Sequence, residues 1–343
     1  LNWIIKSLTS VGQFVLKAIL AGTEKGDISQ SRRLDHAFTL EIIAWERYLL
    51  CSVRPQCNKT RAMTSYKHPT LVKTQADAPL TMAVKAINEQ GEVVDKYIAC
   101  ERPLTLYLNW RPIVTLMTLG ARPEALALGY LKNQGFISDV EQLESVIVDW
   151  GVNSAAVLTK ESTAHLEEKL AEKTVTTGCG QGTVYGGFMD GVEDIRLPTP
   201  RLKQSMLYSL LNNISTYNET YKNAGAVHGC GLCEGDQIIG FVEDVGRHNA
   251  VDTLAGEMWL KQQGGGNKLF YTTGRLTSEM VIKVAKMGIP VLLSRSGATQ
   301  MGLELAQKLG ITMIARAKGR HFLIYHGAEN IEFDATPPKR NLG

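Results

Sequence analysis

The sequence predicts an α/β fold in its C-terminal half, a largely parallel sheet with helices against it, joined to a smaller α+β region rich in strands. Beyond residue 200 the apolar period alternates: strand IIGFVE, helix HNAVDTLAGEMWLKQQ, strand KLFYTT, helix TSEMVIKVAKMG, strand IPVLLS, helix TQMGLELAQKLG, then strands ITMIA and HFLIYH. Strands separated by helices of that length imply βαβ units. Before residue 175 the pattern is instead strand after strand with a single short helix. A chain of 343 residues, 44% hydrophobic, is also long enough to bury two cores.

Residues 1–79 form an N-terminal extension to which the sequence assigns no task. Its start, LNWIIKSLTSVGQFVLKAIL, carries Ile4, Leu8, Val11, Val15 and Ile19 at helical spacing, interrupted by Lys6 and Lys17, which suits a docked amphipathic segment better than a membrane span. Residues 80–175 make the small α+β domain: LTMAVKAI, LTLYLN and IVTLMT alternate as strands, RPEALALGYLKNQG is a helix with Pro123 near its first turn and Gly135 at its end, and SVIVDW and SAAVLT are again strands. Residues 176–200 are rich in glycine and close on LPTP, the mark of a mobile loop. Residues 201–333 open on the helix RLKQSMLYSLLNNISTY and hold the α/β alternation, and 334–343 are a tail. No internal repeat is legible.

The formal net charge of +3 falls far short of the basic face that sequence-independent nucleic-acid binding needs, so an anion must be met locally. The turns after the four strands of the second half supply the means: DVGRHN, GRLTSE, RSGATQ and RAKGR each hold glycine and arginine. Parallel strands gather their carboxyl ends on one edge, where helix amino termini offer unpaired N–H groups, glycine permits close approach, and guanidinium forks match phosphate oxygens. An anionic, phosphorylated ligand is therefore expected among Arg247, Arg275, Arg295, Arg316 and Arg320. Neither the phosphate loop G-x-x-x-x-G-K-[ST] nor a G-x-G-x-x-G after a strand is present.

Six cysteines, at 51, 57, 100, 179, 230 and 233, are too few for a secreted disulfide framework, and a reducing cytoplasm is expected. Cys179 stands alone in TTGCGQGT, with no large neighbour to pack it. In HGCGLC, His228, Cys230 and Cys233 admit three readings: a zinc site, a secondary sulfur relay, or core packing. A deaminase-type zinc site would need H-x-E, and the glutamate is missing. In EDVGRHNAVD, Asp244 suits helix capping or ligand orientation, and His248 suits either proton transfer or packing. Thr277, Ser278 and Glu279 make a plausible helix start beside Arg275.

Together EDVGRHNAVD, LALGYLKNQGFI, TSEMVIKVAKMGIPVLLSRSGAT and the lone TGCG resemble the FdhD family of formate dehydrogenase accessory sulfurtransferases, in consistent order from about residue 80 to 333. The resemblance implies a cytidine deaminase-like three-layer α/β/α domain. It implies a cytoplasmic carrier that takes sulfur as a persulfide from an IscS-like cysteine desulfurase. Delivery would be to Mo-bis(molybdopterin guanine dinucleotide) before insertion into formate dehydrogenase. Its persulfide position falls on Cys179, and its cofactor-contacting stretch on Ala315, Arg316, Ala317, Lys318, Gly319 and Arg320. A homodimer would let two such edges face the two halves of the dinucleotide. Many relatives carry C-x-x-C in the cysteine loop, but Gly182 stands at the second position here, so the implied carrier has a single cysteine. The alternative is a chaperone that holds the molybdenum cofactor without transferring sulfur.

Overall fold

The computed structural model describes residues 70–73, 78–160, 173–175, 183–185 and 191–337. The chain divides into two units, 1–66 and 67–343, and every described residue belongs to the second. The amphipathic start and most of the N-terminal extension lie outside the described residues. The sheet of the small region begins ahead of residue 80, because β1 (Thr70–Lys73) pairs in parallel with β6 (Leu143–Asp149).

This first sheet has five strands in the order β1, β6, β7 (Ser154–Thr159), β4 (Arg102–Leu108), β5 (Arg111–Thr118). In β4, Leu104, Leu106 and Leu108 are buried, and the period of two directs them to one core. That core is closed by α1 (Pro123–Asn133), which begins with Pro123 in its first turn and is followed by Gly135 at φ 76°, as the sequence indicates. A separate hairpin, β2 (Thr81–Ile87) with β3 (Val93–Ala99), pairs antiparallel.

The second sheet has six strands in the order β12 (Gln237–Asp244), β11 (His228–Glu234), β13 (Leu269–Thr272), β14 (Val291–Ser294), β15 (Thr312–Lys318), β16 (His321–His326). It is mixed, which corrects the expectation of a mostly parallel sheet. Only β13–β14 and β14–β15 pair in parallel, while β12–β11, β11–β13 and β15–β16 are antiparallel. The turns after Glu234 and Lys318 are too short for anything but a hairpin. The strand missed by sequence reading is β11, whose HGCGLCE lacks the branched residues that mark strands.

Helices cover both faces. Helices α4 (Arg247–Leu260), α5 (Ser278–Lys286) and α6 (Gln300–Leu309) share a core with Phe270, Leu292 and Met313, while α2 (Gln204–Ile214) packs with Leu269, Tyr271, Leu293 and Ile314 on the other face. A short α3 (Glu219–Ala224) follows α2. From Arg247 to Gly256 every residue of α4 is buried, because its far side meets α1. The two helices touch backbone to backbone: a Cβ on Gly129 would collide with the Asp252 carbonyl, and one on Gly256 with that of Ala125.

A tandem repeat is present after all, hidden by divergent side chains. Residues 269–290 and 291–312 each contain a short strand, a loop, a threonine N-cap, a helix, and a glycine of positive φ. Equivalent residues sit side by side, Thr272 against Ser294 and Leu276 against Ala298. The equivalent bonds Ile289 N–H to Val284 and Ile311 N–H to Ala306 close both helices. Identity survives only at Thr277/Thr299, Lys286/Lys308, Gly288/Gly310 and Ile289/Ile311. No helix among the described residues is long and apolar enough to cross a membrane.

Candidate functional site

Strand β12 is antiparallel to β11, which is antiparallel to β13, so β12, β13, β14 and β15 all run the same way. Their carboxyl ends share one edge, and α4, α5 and α6 start there. The loops along it are laced together. Thr272 Oγ1 accepts from Gly274 N–H (3.0 Å), Ser294 Oγ donates to the Gly274 carbonyl (2.6 Å), Leu276 N–H donates to Gly297 (3.0 Å), and Arg316 N–H donates to Ser296 (2.8 Å). Such closure gives the arginine side chains a rigid base.

Two arginines lie over glycines in these loops. A Cβ on Gly274 would come within 2.7 Å of Arg247 Cδ, and one on Gly297 within 3.6 Å of Arg316 Nε. Arg275, Arg295 and Arg316 are exposed and form no ion pair with any described residue. Arg316 sits at φ 54°, in the bulge that breaks register between Ala315 and Lys318. The bulge turns Ala315 and Ala317 into the cores on opposite faces of the sheet, and both residues are buried. Lys318, Gly319 and Arg320 are exposed in the turn to β16. Arg320 turns away toward α2, with its guanidinium 4.9 Å over the Tyr208 ring and Nη2 donating to the Thr336 carbonyl at 3.1 Å. The structure thus gathers Arg247, Arg275, Arg295 and Arg316 on the edge and sets Arg320 apart from them.

Cys179 lies outside the described residues. Its flanks do not: β8 (Lys173–Val175) and β9 (Thr183–Tyr185) pair antiparallel, so residues 176–182 connect the two strands of a hairpin. The expectation of one unbroken loop over 176–200 is corrected, since it contains β9 and a 3-10 turn at Val192–Asp194.

Asp244 ends β12 and ties the two sheets together. Its carboxylate accepts from Thr118 Oγ1 (2.5 Å), Leu119 N–H (3.1 Å), Gly246 N–H (3.0 Å) and Asn249 Nδ2 (2.9 Å). Burial pushes its pKa up against those four donors. The N-cap of α4 is Gly246, so Asp244 orders the turn instead of capping the helix directly. Glu243 accepts from Thr220 and Tyr221 N–H and so serves the start of α3.

Behind the edge runs a charged chain that sequence reading did not find. Lys283 Nζ is 2.7 Å from Asp252 and 3.4 Å from Glu279, Asn133 Nδ2 donates to Asp252 at 2.7 Å, and Glu279 Oε2 is 3.4 Å from His248 Nε2. Lys283 and Asp252 are wholly buried. Burial disfavours the ammonium, but Asp252 and Glu279 hold the Lys283 pKa above its ordinary value. The available signal was a lone charge inside each of two apolar stretches, VDTLAG and MVIKVA. Burial, and then the charges of Lys283, Arg247, His228 and Arg275, push His248 down to about 2. His228 is lowered by burial and by the same two arginines.

Cys230 and Cys233 are not a pair. A register shift separates Leu232 from Cys233, and the two sulfurs enter cores on opposite faces of the sheet. Burial drives each thiol up to about 12. The core-packing reading holds for both, and among the described residues no three His, Cys, Asp or Glu side chains gather as a metal site.

The model of the FdhD/NarQ family matches residues 99–332, more than half of the chain. The chain belongs to the FdhD/NarQ family. Within it, the sulfur carrier protein FdhD of Wolinella succinogenes is 29% identical over 259 residues, spanning 75% of this chain and 89% of its own. That of Bacillus subtilis is 28% identical over 247 residues, spanning 71% and 94%. A crystal structure from Desulfotalea psychrophila, described as that of a formate dehydrogenase accessory protein, superposes with TM-score 0.61 at 28% identity, covering 74% of this chain and 100% of that one. The edge, α1, α4 and the repeat all fall inside the FdhD/NarQ match, whereas β1, β2 and most of β3 precede it.

Proposed function

We propose that this FdhD/NarQ chain is a sulfur carrier for formate dehydrogenase, with Cys179 as its persulfide position and the arginine edge as the seat of its cargo. The observation that carries the reading is three exposed guanidiniums, Arg275, Arg295 and Arg316, without ion-pair partners among the described residues, on the edge where three helices begin. A ligand with several phosphates satisfies such an edge, and Mo-bis(molybdopterin guanine dinucleotide) is one. The names of the relatives support the sulfur half.

In the first step the Cys179 thiolate attacks the terminal sulfur of a persulfide on a cysteine desulfurase. The donor's S–S bond breaks, its cysteine leaves as thiolate, and Cys179 becomes the persulfide. In delivery a nucleophilic centre of the cargo attacks the terminal sulfur with its own electron pair: the new bond to sulfur forms, the S–S bond to Cys179 breaks, Cys179 leaves as thiolate, and the cargo is the two-electron reductant of the sulfur it receives. A position in the connection of a hairpin, flanked by glycines, suits a sulfur that must reach into other proteins. With Gly182 where many relatives have a second cysteine, no loop thiol stands three residues on to discharge the persulfide into a disulfide. The first step needs Cys179 as a free thiol, which a reducing cytoplasm would maintain.

Incubation with a cysteine desulfurase and cysteine is expected to add one sulfur by mass to the peptide containing Cys179, and Cys179→Ala is expected to abolish the addition and the activation of formate dehydrogenase. Activation that survives Cys179→Ala would leave a cofactor-holding chaperone as the better reading. Replacing Arg275, Arg295 and Arg316 together by alanine is expected to cost retention of the molybdenum cofactor while Cys179 still loads.

A further inference from the structure

The polar atoms at the first turns of α4 and α5 are not used by that reading. Neither helix, of 14 and 9 residues, has a side-chain N-cap: Gly246 has no side chain to offer, and Thr277 makes no capping bond. The equivalent Thr299 in the repeat does cap α6, accepting from Gly302 N–H at 3.2 Å. Between the two uncapped turns lies His248, 3% exposed, whose Nδ1 has no hydrogen-bond partner among the described residues and whose Nε2 is 3.4 Å from Glu279 Oε2. Thr277 Oγ1 is likewise buried without a partner. Each such atom costs about 1–3 kcal/mol when left unmade, so their coincidence at one place signals a missing polar ligand.

The groups around His248 define that ligand. Arg247 comes from α4, His228 from the start of β11, Arg275 from the β13–α5 loop, and Lys283 and Glu279 from α5. Glu279 stands 3.4 Å from Nε2, which favours the tautomer with its proton on Nε2 and leaves Nδ1 as an acceptor. Burial, and after it the neighbouring cations, keeps the ring neutral, and Lys283 neutralises Glu279. A ligand here must offer negative charge to Arg275 and a hydrogen-bond donor to Nδ1. A phosphate that still bears one P–OH offers both.

We propose that the first turns of α4 and α5 form a seat for a terminal phosphate carrying a P–OH. The hydroxyl donates to His248 Nδ1, and the other oxygens accept from Arg275, Thr277 Oγ1 and the N–H groups that open α5. The seat relies on the proposed function only in treating this edge as phosphate-binding, and it is separate from the β15–β16 turn. A phosphodiester has no P–OH and cannot complete it. The second ionisation of a phosphomonoester, near pH 6, removes the proton that the seat needs.

The test is calorimetric titration of the full chain with inorganic phosphate, adenosine monophosphate and dimethyl phosphate at pH 5.5 and 7.5. Inorganic phosphate is expected to bind more tightly at the lower pH and dimethyl phosphate not to bind. Comparison of the first two ligands tells whether the source is free phosphate or a nucleotide. His248→Ala and, independently, Thr277→Val are each expected to weaken binding about tenfold. His248→Asn, which keeps an acceptor near the Nδ1 position, is expected to retain it and guards against a folding defect. Undiminished affinity in His248→Ala or in Thr277→Val, equal binding of the diester, or affinity that rises with pH overturns the seat. Absence of any binding overturns it too and leaves a buried water as the occupant. Sulfur loading of Cys179 is measured separately, so loading without a phosphate response sinks the seat alone, and the reverse sinks the sulfur-carrier reading alone.

Discussion

Cysteine chemistry separates sharply by residue in this protein. Cys230 and Cys233 have the C-x-x-C spacing that in sequence suggests a redox pair or metal ligands, yet the strand they occupy sends them to opposite cores. At a pKa of about 12 only on the order of one thiol in ten thousand is ionised at pH 8, and the thiolate is the reactive form. Iodoacetamide at pH 8 is therefore expected to leave both unmodified in the folded protein and to label them once denaturant is added. Labelling of either under native conditions would contradict their burial. Arg316 is a second case where one residue sets the surroundings: its positive φ creates the bulge that points a guanidinium outward between two buried alanines.

Among the elements, the α1–α4 contact is the joint on which the edge depends. Gly129 and Gly256 allow the two helices to meet at backbone distance, and α4 then carries Arg247 and His248 to the edge while Asn133 of α1 reaches the buried Asp252. Gly129→Ala places a methyl group into the Asp252 carbonyl and is expected to lower stability by about 1–3 kcal/mol or more, read from the urea midpoint. A midpoint unchanged or raised by the better helix former would show that the crossing is looser than described. The tandem βα repeat places one loop per unit on the edge, and the loops hydrogen-bond to each other in sequence. The arginine falls at different loop positions, 275 in the first unit and 295 in the second, so the repeat supplies the loops but no shared arginine position.

Across the described unit, the buried histidine ties stability to pH. His248 titrates at about 2 when folded and near its ordinary value when unfolded, so below about pH 6.5 the unfolded chain binds the extra proton. Its contribution is complete above that pH and is lost as pH falls toward the folded value, by at most about 1.4 kcal/mol per pH unit. His228, also lowered, acts in the same direction. Urea midpoints measured from pH 7.5 to 4.5 are expected to fall in the wild type and to fall less steeply in His248→Asn. Parallel slopes would mean that His248 is charged or hydrated in the folded protein. The comparison with the variant isolates this group from Asp244, which is raised by burial and titrates the opposite way.

By itself the sequence determined the alternation of strands and helices after residue 200, the gathering of Arg247, Arg275, Arg295 and Arg316 on one edge, and the isolation of Cys179 among glycines. These are local properties: a period, a turn composition, a neighbour of a certain size. Only the tertiary structure decided that β11 enters between β12 and β13, that Arg320 leaves the edge for Tyr208, that Lys283 finds Asp252, and that His248 lies buried against Glu279. Each of those depends on which distant segments meet, and the pairing of strands and the burial of a charge are set by partners that no local pattern names.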